Sequence, residues 1–257
     1  MLSSFTLPKF RIKGIDIAAI DIVHASKLIG ELATAGHGSY VTVTGAHGIV
    51  ESQYNKEVFD AHRDASLIVP DGMPLVWLGR LLGFKSIGRV YGPDLMENIF
   101  SKQGYRELRH FFYGSSPSVV NNLRDALVTR FGEFNMVGMH CPPVEPLGFT
   151  EDEAVLSLIR GLKPHIIWVG LSTPKQEVWL RMHMPRIATG VGIGVGAAFD
   201  LLSGKTRQAP RYIQRSGLEW LFRLVHEPKR LFKRYFFVIP RFLVFFLQAF
   251  AKQERPT

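Results

Sequence analysis

Short runs of β-branched and aromatic residues recur along most of this chain, and longer amphipathic stretches separate them. The stretches at 22–35, 119–131 and 152–162 have the apolar periodicity of helices. Strands that alternate with helices of ten or more residues are typical of a parallel sheet covered on both faces. We therefore predict a Rossmann-like α/β fold with a mostly parallel sheet. The predicted strands are Tyr40–Thr44, Leu67–Val69, His110–Tyr113, Met136–Met139, His165–Val169 and Gly190–Val195.

Polar or glycine-rich clusters follow five of these predicted strands directly. In open α/β sheets, ligands bind outside the carboxyl ends of the strands. The five clusters are therefore expected to converge on one binding site. They are TGAHG (44–48), PDGMP (70–74), GSSPS (114–118), GLSTPKQE (170–177) and GAAFD (196–200).

The formal net charge of +9 is concentrated in the last fifth of the chain. Residues 205–257 contain 12 basic residues (Lys and Arg) and 3 acidic ones (Asp and Glu). Residues 1–204 contain 19 basic and 19 acidic residues. A neutral body with a basic tail indicates docking on an anionic surface through the tail. We predict an α/β catalytic domain over residues 1–204 and a docking appendage over residues 205–257. The predicted partner of the appendage is a membrane surface and not a nucleic acid.

The appendage mixes aromatic residues with arginines between Gly217 and Phe250. Its apolar run, Tyr235–Phe250, is 16 residues long and contains Pro240 and Arg241. A helix that spans a bilayer needs about 20 mostly apolar residues, so this run predicts a helix in the membrane interface. Residues 235–257 should then be removable without unfolding the body. A terminal helix that packs into the core is the alternative.

Cysteine usage and the N-terminal sequence bear on the compartment. Cys141 is the single cysteine, which excludes a disulfide framework and fits a reducing compartment. The first 17 residues lack the pattern of a signal peptide. We expect a peripheral protein on the cytoplasmic side of the plasma membrane.

One carboxylate, Asp71, follows the predicted strand Leu67–Val69 within the sequence PDG, among apolar neighbours. Two interpretations are open. Asp-Gly pairs favour turns, so Asp71 can be an Asx-turn residue that caps a helix starting near Met73 or Pro74. Alternatively, desolvation at the strand end raises the pKa of Asp71 toward the strength of a useful general base.

The cluster after the third predicted strand has the composition of a phosphate-binding loop. Gly114, Ser115 and Ser116 precede Pro117 at the start of a predicted helix, where backbone N–H groups can bind a phosphate. Ser116 is equally suited to be the N-cap of this helix, with Pro117 as its first residue. The two interpretations are compatible.

The sequence STPKQE predicts a second helix start, with Thr173 as N-cap and Pro174 as the first helical residue. Lys175 then lies at the positive end of the helix dipole, where a bound phosphate would supply the anionic partner that it needs. Gln176 can donate and accept hydrogen bonds, as binding a sugar hydroxyl or a uracil edge requires. Gly196 and Asp200, after the last predicted strand, complete the candidates for donor binding.

The sequence offers a lone histidine but no metal-binding motif. His47 lies in the sequence GAHG, and its role stays open between structure and catalysis. HExxH, DxD and closely spaced histidine pairs are absent, so we predict no metal and no other cofactor. The glycine run GVGIGVG, at residues 190–196, comes too late for a dinucleotide fingerprint and lacks its spacing, which argues against a Rossmann-type oxidoreductase.

Five segments follow one another along the chain: PDGMPLVWLGRLLGF, RVYGPDLM, VGLSTPKQEVWL, GVGAAFDLLSGKTRQAP and GLEWLFRLVHEPKR. In this order and spacing they resemble the WecG/TagA/CpsF family of bacterial glycosyltransferases. The resemblance covers about residues 15–235. TGAHGIVE, where other members carry a Thr-Pro-Asn type sequence, is most similar to the exopolysaccharide branch, which includes the glucosyltransferase of xanthan-type assembly.

The resemblance implies a metal-independent, inverting transfer of a sugar from a UDP-sugar to a polyprenyl-diphosphate-linked saccharide. It implies that Asp71 is the base and that Thr44 and Gln176 belong to the polar pocket. The family's asparagine position is filled by Ala46 or His47. If Asp71 is not the base, His47 is the next candidate for that role. The resemblance also implies that appendage arginines contact the diphosphate of the acceptor. The candidates are Arg207, Arg215, Arg223 and Arg230.

UDP-glucose is the first expectation for the donor, and UDP-N-acetylmannosamine is the alternative. A non-catalytic, nucleotide-binding membrane-docking protein, with Asp71 as a turn residue, is the alternative from another functional class. The acceptor glycan, the linkage and the oligomeric state stay open, a homo-oligomer included.

Overall fold

The computed structural model describes residues 7–143 and 153–252, so Asp152, the predicted first residue of one helix, lies outside the described residues. Within them the chain forms eight strands. These are β1 (Lys9–Ile12), β2 (Ile15–Ala18), β3 (Ser39–Thr44), β4 (Leu67–Pro70), β5 (His110–Gly114), β6 (Met136–His140), β7 (Ile166–Gly170) and β8 (Val191–Gly194).

Helices connect most of the strands, and helices alone form the end of the chain. They are α1 (Ile22–Ala35), α2 (Ala46–Ser52), α3 (Lys56–Arg63), α4 (Met73–Leu81), α5 (Gly92–Phe100), α6 (Gln103–Arg106), α7 (Pro117–Phe131), α8 (Glu153–Leu162), α9 (Lys175–Ile187), α10 (Ala198–Leu202), α11 (Arg211–Arg215), α12 (Glu219–His226) and α13 (Pro228–Lys252).

Six strands form one sheet in the order β4-β3-β8-β7-β5-β6, and every neighbouring pair in it is parallel. They are the six strands that the sequence predicts, with ends that differ by one residue or less. The parallel α/β architecture is therefore confirmed. Most residues of its strands are apolar, as expected for a sheet with helices on both faces.

The antiparallel hairpin of β1 and β2, which forms a separate two-stranded sheet, was not predicted from the sequence. Its turn is Lys13-Gly14, and both residues have positive φ, 50° and 84°. Two-residue hairpins of this type need positive φ at both positions, and Asn-Gly is their usual signal. A Lys-Gly pair between two four-residue strands gives a weaker signal.

Separate apolar clusters cover the two faces of the sheet. Helices α1, α5 and α7 pack on one face around Trp168, Phe100 and Phe112. On the other face, α8 and α9 pack around Tyr113 and Trp179, and α4 packs against the hairpin.

The last helix, α13, runs without interruption through Pro240 for 25 residues. Its length and apolar composition would allow it to cross a membrane. However, one of its faces packs against the hairpin, α2 and α4. The buried residues on α13 are Leu231, Val238, Phe242, Phe245 and Ala249. One face of α13 is thus held by the body, and its place in the membrane interface stays a prediction.

The packing of α13 corrects the expectation that residues 235–257 can be removed without unfolding the body. Val238, Phe242 and Phe245 belong to the same core cluster as Phe10 and Leu75. The inner face of α13 is therefore core. Its outer face is not, because six apolar residues at helical spacing are exposed there. They are Phe232, Phe236, Ile239, Leu243, Leu247 and Phe250.

Candidate active site

A pocket opens at the carboxyl ends of β3, β4, β7 and β8, and α12 and α13 close one of its sides. It thus combines strand ends of the body with two helices of the appendage. The backbone of Gly45 and Gly196 and the apolar side chains of Val43 and Val195 form part of its wall. The polar side chains that line it are His47, Asp71, Tyr91, Ser172, Thr173, Gln176, Arg223, Arg234 and Tyr235.

The backbone around PDG holds Asp71 at the strand end. The N–H group of Asp71 donates to the carbonyl of Thr44 at 2.8 Å, which continues the β3–β4 pairing by one bond. Gly72 then takes φ +95°, a conformation that favours glycine, and is the N-cap of α4 without a side-chain cap bond. The Asx-turn interpretation of Asp71 is therefore wrong, because its carboxylate does not cap the helix.

The Asp71 carboxylate faces the pocket in a poorly solvated position. Its side chain is 32% exposed, and Oδ1 has no hydrogen-bond partner among the described residues. Burial raises the pKa of Asp71 to about 6, and the negative charge of Glu219 acts in the same direction, whereas Arg89 opposes the shift. A carboxylate with this pKa is ionised at neutral pH and still accepts a proton readily.

Arg89 lies beside Asp71 and links it to the appendage. Its Nη2 donates to Oε2 of Glu219 at 2.6 Å, and its guanidinium stacks on the ring of Tyr91 at 3.9 Å. Its Nε is 3.8 Å from Oδ1 of Asp71. Arg89, Tyr91 and Glu219 were not predicted as site residues, although they lie in the segments RVYGPDLM and GLEWLFRLVHEPKR that carry the family resemblance.

Gln176 is buried, and two bonds fix its amide. Its Oε1 accepts from the N–H of Gly196 at 2.8 Å, and its Nε2 donates to Oε1 of Glu177 at 3.1 Å. Because an N–H only donates and a carboxylate only accepts, both partners require the same amide orientation. Glu177 is buried and also accepts a hydrogen bond from the hydroxyl of Thr173 at 2.8 Å.

The start of α9 differs by one residue from the prediction. Pro174 is the N-cap and Lys175 the first helical residue. The hydroxyl of Thr173 does not cap the helix, because it is engaged by the side chain of Glu177. The start of α7 is as predicted, with Ser116 as N-cap and Pro117 in the first turn.

Thr44 lies behind the pocket wall and not in its lining. Its hydroxyl is 2.8 Å from Nε2 of the buried His62, whose Nδ1 is 2.8 Å from the carbonyl of Val58. The carbonyl requires a proton on Nδ1, so Nε2 accepts from the hydroxyl of Thr44. The place of Thr44 in the polar pocket therefore needs correction: its hydroxyl supports the wall from behind.

His47 lies in the pocket on the first turn of α2. Burial lowers the pKa of His47 to about 4, and the charge of Arg234 adds to this effect. The imidazole is therefore neutral at physiological pH and offers one donor and one acceptor. Its Nε2 is 3.9 Å from Oε2 of Glu51.

Part of the predicted donor site lies at the same sheet edge but outside the pocket lining. The hydroxyl of Ser115 donates to Oδ1 of Asp200 at 3.4 Å, and Lys205 pairs with the same oxygen at 3.2 Å. Ser115 directly follows β5, the neighbour of β7, whereas Asp200 lies on α10, after β8. The predicted donor residues outside the lining are Gly114, Ser115, Ser116, Lys175 and Asp200, whereas Gln176 and Gly196 are within it.

Of the four predicted appendage arginines, the structure places only Arg223 in the pocket. Arg207 and Arg215 are exposed elsewhere, and Arg230 pairs with Glu227 at 2.5 Å. Arg234, which the sequence analysis did not select, lines the pocket from α13. Its pKa is lowered, first by burial and then by the charge of Arg230. The charge count of the tail could not distinguish it from the exposed arginines.

Arg234 and Arg223 are two cations at one pocket mouth without an ion pair in the described part of the chain. Such a pair can bind an anion with two charges, as a diphosphate has. No group of three or more His, Cys, Asp or Glu side chains lies close enough to hold a metal ion within residues 7–143 and 153–252.

A sequence model described as "Glycosyl transferase WecG/TagA/CpsF family" matches residues 10–256 of the chain. Three similar bacterial proteins are each named N-acetylglucosaminyldiphosphoundecaprenol N-acetyl-beta-D-mannosaminyltransferase. The protein of Bacillus spizizenii W23 is 26% identical over 219 residues, which cover 85% of this chain and 80% of the relative. That of Bacillus subtilis 168 is 26% identical over 177 residues, covering 68% and 67%. That of Staphylococcus aureus MW2 is 29% identical over 169 residues, covering 65% and 64%.

Proposed function

The chain belongs to the WecG/TagA/CpsF glycosyltransferase family, and from this premise we propose that it transfers N-acetylmannosamine from a UDP donor to a polyprenyl-diphosphate-linked saccharide. The single observation that carries the proposal is a pocket in which one desolvated carboxylate, Asp71, faces two appendage cations, Arg223 and Arg234. A general base and a diphosphate-binding pair are the two elements that such a transfer needs.

The relatives favour this donor over glucose. Their names specify an N-acetylmannosaminyl group and an acceptor with N-acetylglucosamine on undecaprenyl diphosphate. Membership of the family is confirmed, whereas placement in the exopolysaccharide branch finds no support in these relatives. The alternative expectation, UDP-N-acetylmannosamine, therefore replaces UDP-glucose as the main proposal.

In the proposed mechanism, Asp71 removes the proton from the acceptor hydroxyl as the hydroxyl oxygen attacks the anomeric carbon. The bond from that carbon to the β-phosphate oxygen of UDP breaks, and the configuration inverts. With a pKa of about 6, Asp71 is deprotonated at pH 7 to 8 and can accept this proton. A positioned base contributes roughly 10²–10⁴ in rate.

The leaving UDP develops negative charge, which cations or dipoles must stabilise. We assign this role to Arg223 and Arg234, with the second Nε2 proton of Gln176, the one not donated to Glu177, as a neutral donor. That the reaction does not need a metal ion stays a prediction, which metal removal can test.

The outer face of α13 is proposed to lie in the cytoplasmic leaflet, where the lipid-linked acceptor is held. Its apolar row is exposed for the length of the helix, and Lys229, Arg230 and Lys233 are exposed near its start, next to the pocket residue Arg234. Amphipathic helices with basic and aromatic residues bind anionic membrane interfaces in this way. The appendage would thus bring the pocket to the acceptor.

A donor screen tests this proposal. The protein is incubated with a short-chain polyprenyl-diphosphate N-acetylglucosamine and with UDP-N-acetylmannosamine, UDP-glucose or UDP-N-acetylglucosamine, and the products are identified by mass spectrometry. We expect a disaccharide from UDP-N-acetylmannosamine and much less product from the others. A product from UDP-glucose alone would restore the first expectation. UDP release without any transfer would reject the proposed acceptor.

A further inference from the structure

The guanidinium of Arg89 lies between two carboxylates from different parts of the chain. One is Asp71, at the end of β4 in the body, and the other is Glu219, at the start of α12 in the appendage. Both Arg89 and Glu219 are largely buried, with 15% and 12% of their side chains exposed. Water therefore competes little with either contact.

The two contacts are unequal. Glu219 accepts a hydrogen bond from Nη2 of Arg89 at 2.6 Å. Nε of Arg89 is 3.8 Å from Oδ1 of Asp71, too long for a hydrogen bond. Neither of these two atoms has a hydrogen-bond partner in the part of the chain that the structure describes. Arg89 is thus hydrogen-bonded to Glu219 of the appendage, whereas it forms only a long ion pair with Asp71.

We propose that Glu219 is a positioning residue that holds Arg89 away from Asp71 and so keeps the Asp71 carboxylate free to act as a base. The inference rests on the proposed function, in which Asp71 is that base. If α12 left the body, Arg89 would lose its buried partner, and the nearest other carboxylate is that of Asp71. A direct pair with Arg89 would occupy Asp71 and weaken it as a base. Docking of the appendage would therefore complete the base as well as supply the arginines.

The other charged groups around Asp71 do not serve this purpose. Asp94, on α5, is bonded to Arg211 at 2.6 Å. Arg223, on α12, acts on Asp71 as a cation and thus in the opposite direction from Glu219. Among the described residues, Glu219 is the one acid bonded to Arg89.

The experiment is a ¹³C NMR titration of the Asp71 carboxyl in full-length protein labelled with ¹³C-aspartate, with Asp71→Asn to identify its signal. We expect Glu219→Gln, which keeps the shape and one acceptor, to lower the pKa of Asp71 by about 1 pH unit. Glu219→Ala should lower it further. The acid limb of the rate profile should move in the same direction. An unchanged pKa of Asp71 in both variants would overturn the inference.

Two controls separate positioning from simple charge and from misfolding. In an Arg89→Gln background, Glu219→Gln should lower the pKa of Asp71 clearly less than in the wild-type background, because only the direct charge effect of Glu219 remains and no guanidinium can move. An effect of equal size in both backgrounds would show that Glu219 acts through its charge alone and would overturn the positioning role. Glu227→Gln is the matched appendage variant and should leave the titration unchanged.

The titration and the transfer assay report on different claims. Lack of transfer by the wild-type protein would count against the proposed function. The pKa of Asp71 does not depend on turnover and addresses Glu219 directly. If Glu219→Ala detaches α12, seen as a lower melting temperature, the isosteric Glu219→Gln carries the test.

Discussion

The body and the appendage both supply pocket residues, but different interactions position them. In the body, parallel strand pairing and backbone bonds place Asp71 and Gln176, as in the 2.8 Å bond from Asp71 to Thr44. In the appendage, Arg234 and Arg223 are placed by the packing of helix faces and by the Arg89–Glu219 ion pair. The body half of the pocket is therefore built into the sheet, whereas the appendage half depends on docking.

The two faces of α13 give the strongest test of this difference. Phe242 is 6% exposed and packs in the core, whereas its neighbour Leu243 is 57% exposed. We expect Phe242→Asp to lower the free energy of unfolding by about 3–5 kcal/mol, because it removes a buried ring and buries a charge. Leu243→Asp should change it by no more than about 0.5 kcal/mol. Urea denaturation measures both, and equal losses would show that the two faces do not differ.

The pocket arginine gives the next largest effect. Arg234→Gln should lower kcat/KM for the UDP donor by about 10- to 100-fold, since a charge-assisted contact to the leaving diphosphate is lost. Arg207→Gln is the matched control because Arg207 is exposed outside the pocket. Steady-state kinetics with a short-chain acceptor measures both. Similar losses in the two variants would indicate that the overall positive charge matters and that Arg234 does not bind the diphosphate specifically.

The sequence predicted the body better than the appendage for a physical reason. Strand and helix periodicities are local, so β3 to β8, the cap at Ser116 and the place of Asp71 at a strand end could be read from the pattern. The choice among arginines, and the ion pair between Arg89 and Glu219, depends on contacts across 130 residues. The hydroxyl of Thr44 was wrongly predicted to belong to the polar pocket, because its partner, His62, comes from α3, outside the motif.

A smaller effect is expected at the membrane. Lys233→Gln should weaken binding to anionic vesicles by about fivefold, since one charge near such a surface contributes about 1 kcal/mol. Binding to neutral vesicles should not change. Raising the salt concentration should weaken binding of the wild type without abolishing it, because the apolar row of α13 is not screened. Sedimentation with vesicles measures this, and full release by salt would leave the apolar row without a role.

No effect at all is expected from metal removal. Transfer should continue at the same rate in excess EDTA, because Arg223 and Arg234 are proposed to stabilise the leaving diphosphate. A loss of activity that Mg²⁺ or Mn²⁺ restores would show that a carboxylate site exists, with Asp94 and Asp200 as the first residues to examine.

The measurement that tests the central claim most directly is the turnover of Asp71→Asn across pH, with Asp94→Asn as the control for a nearby carboxylate. Asp71 must be deprotonated to accept a proton, so wild-type kcat should fall as the pH is lowered through about 6. Asp71→Asn should lose at least about 100-fold in kcat and lose this acid limb, while UDP still binds. Turnover near the wild-type level with the acid limb intact would contradict the claim that Asp71 is the base.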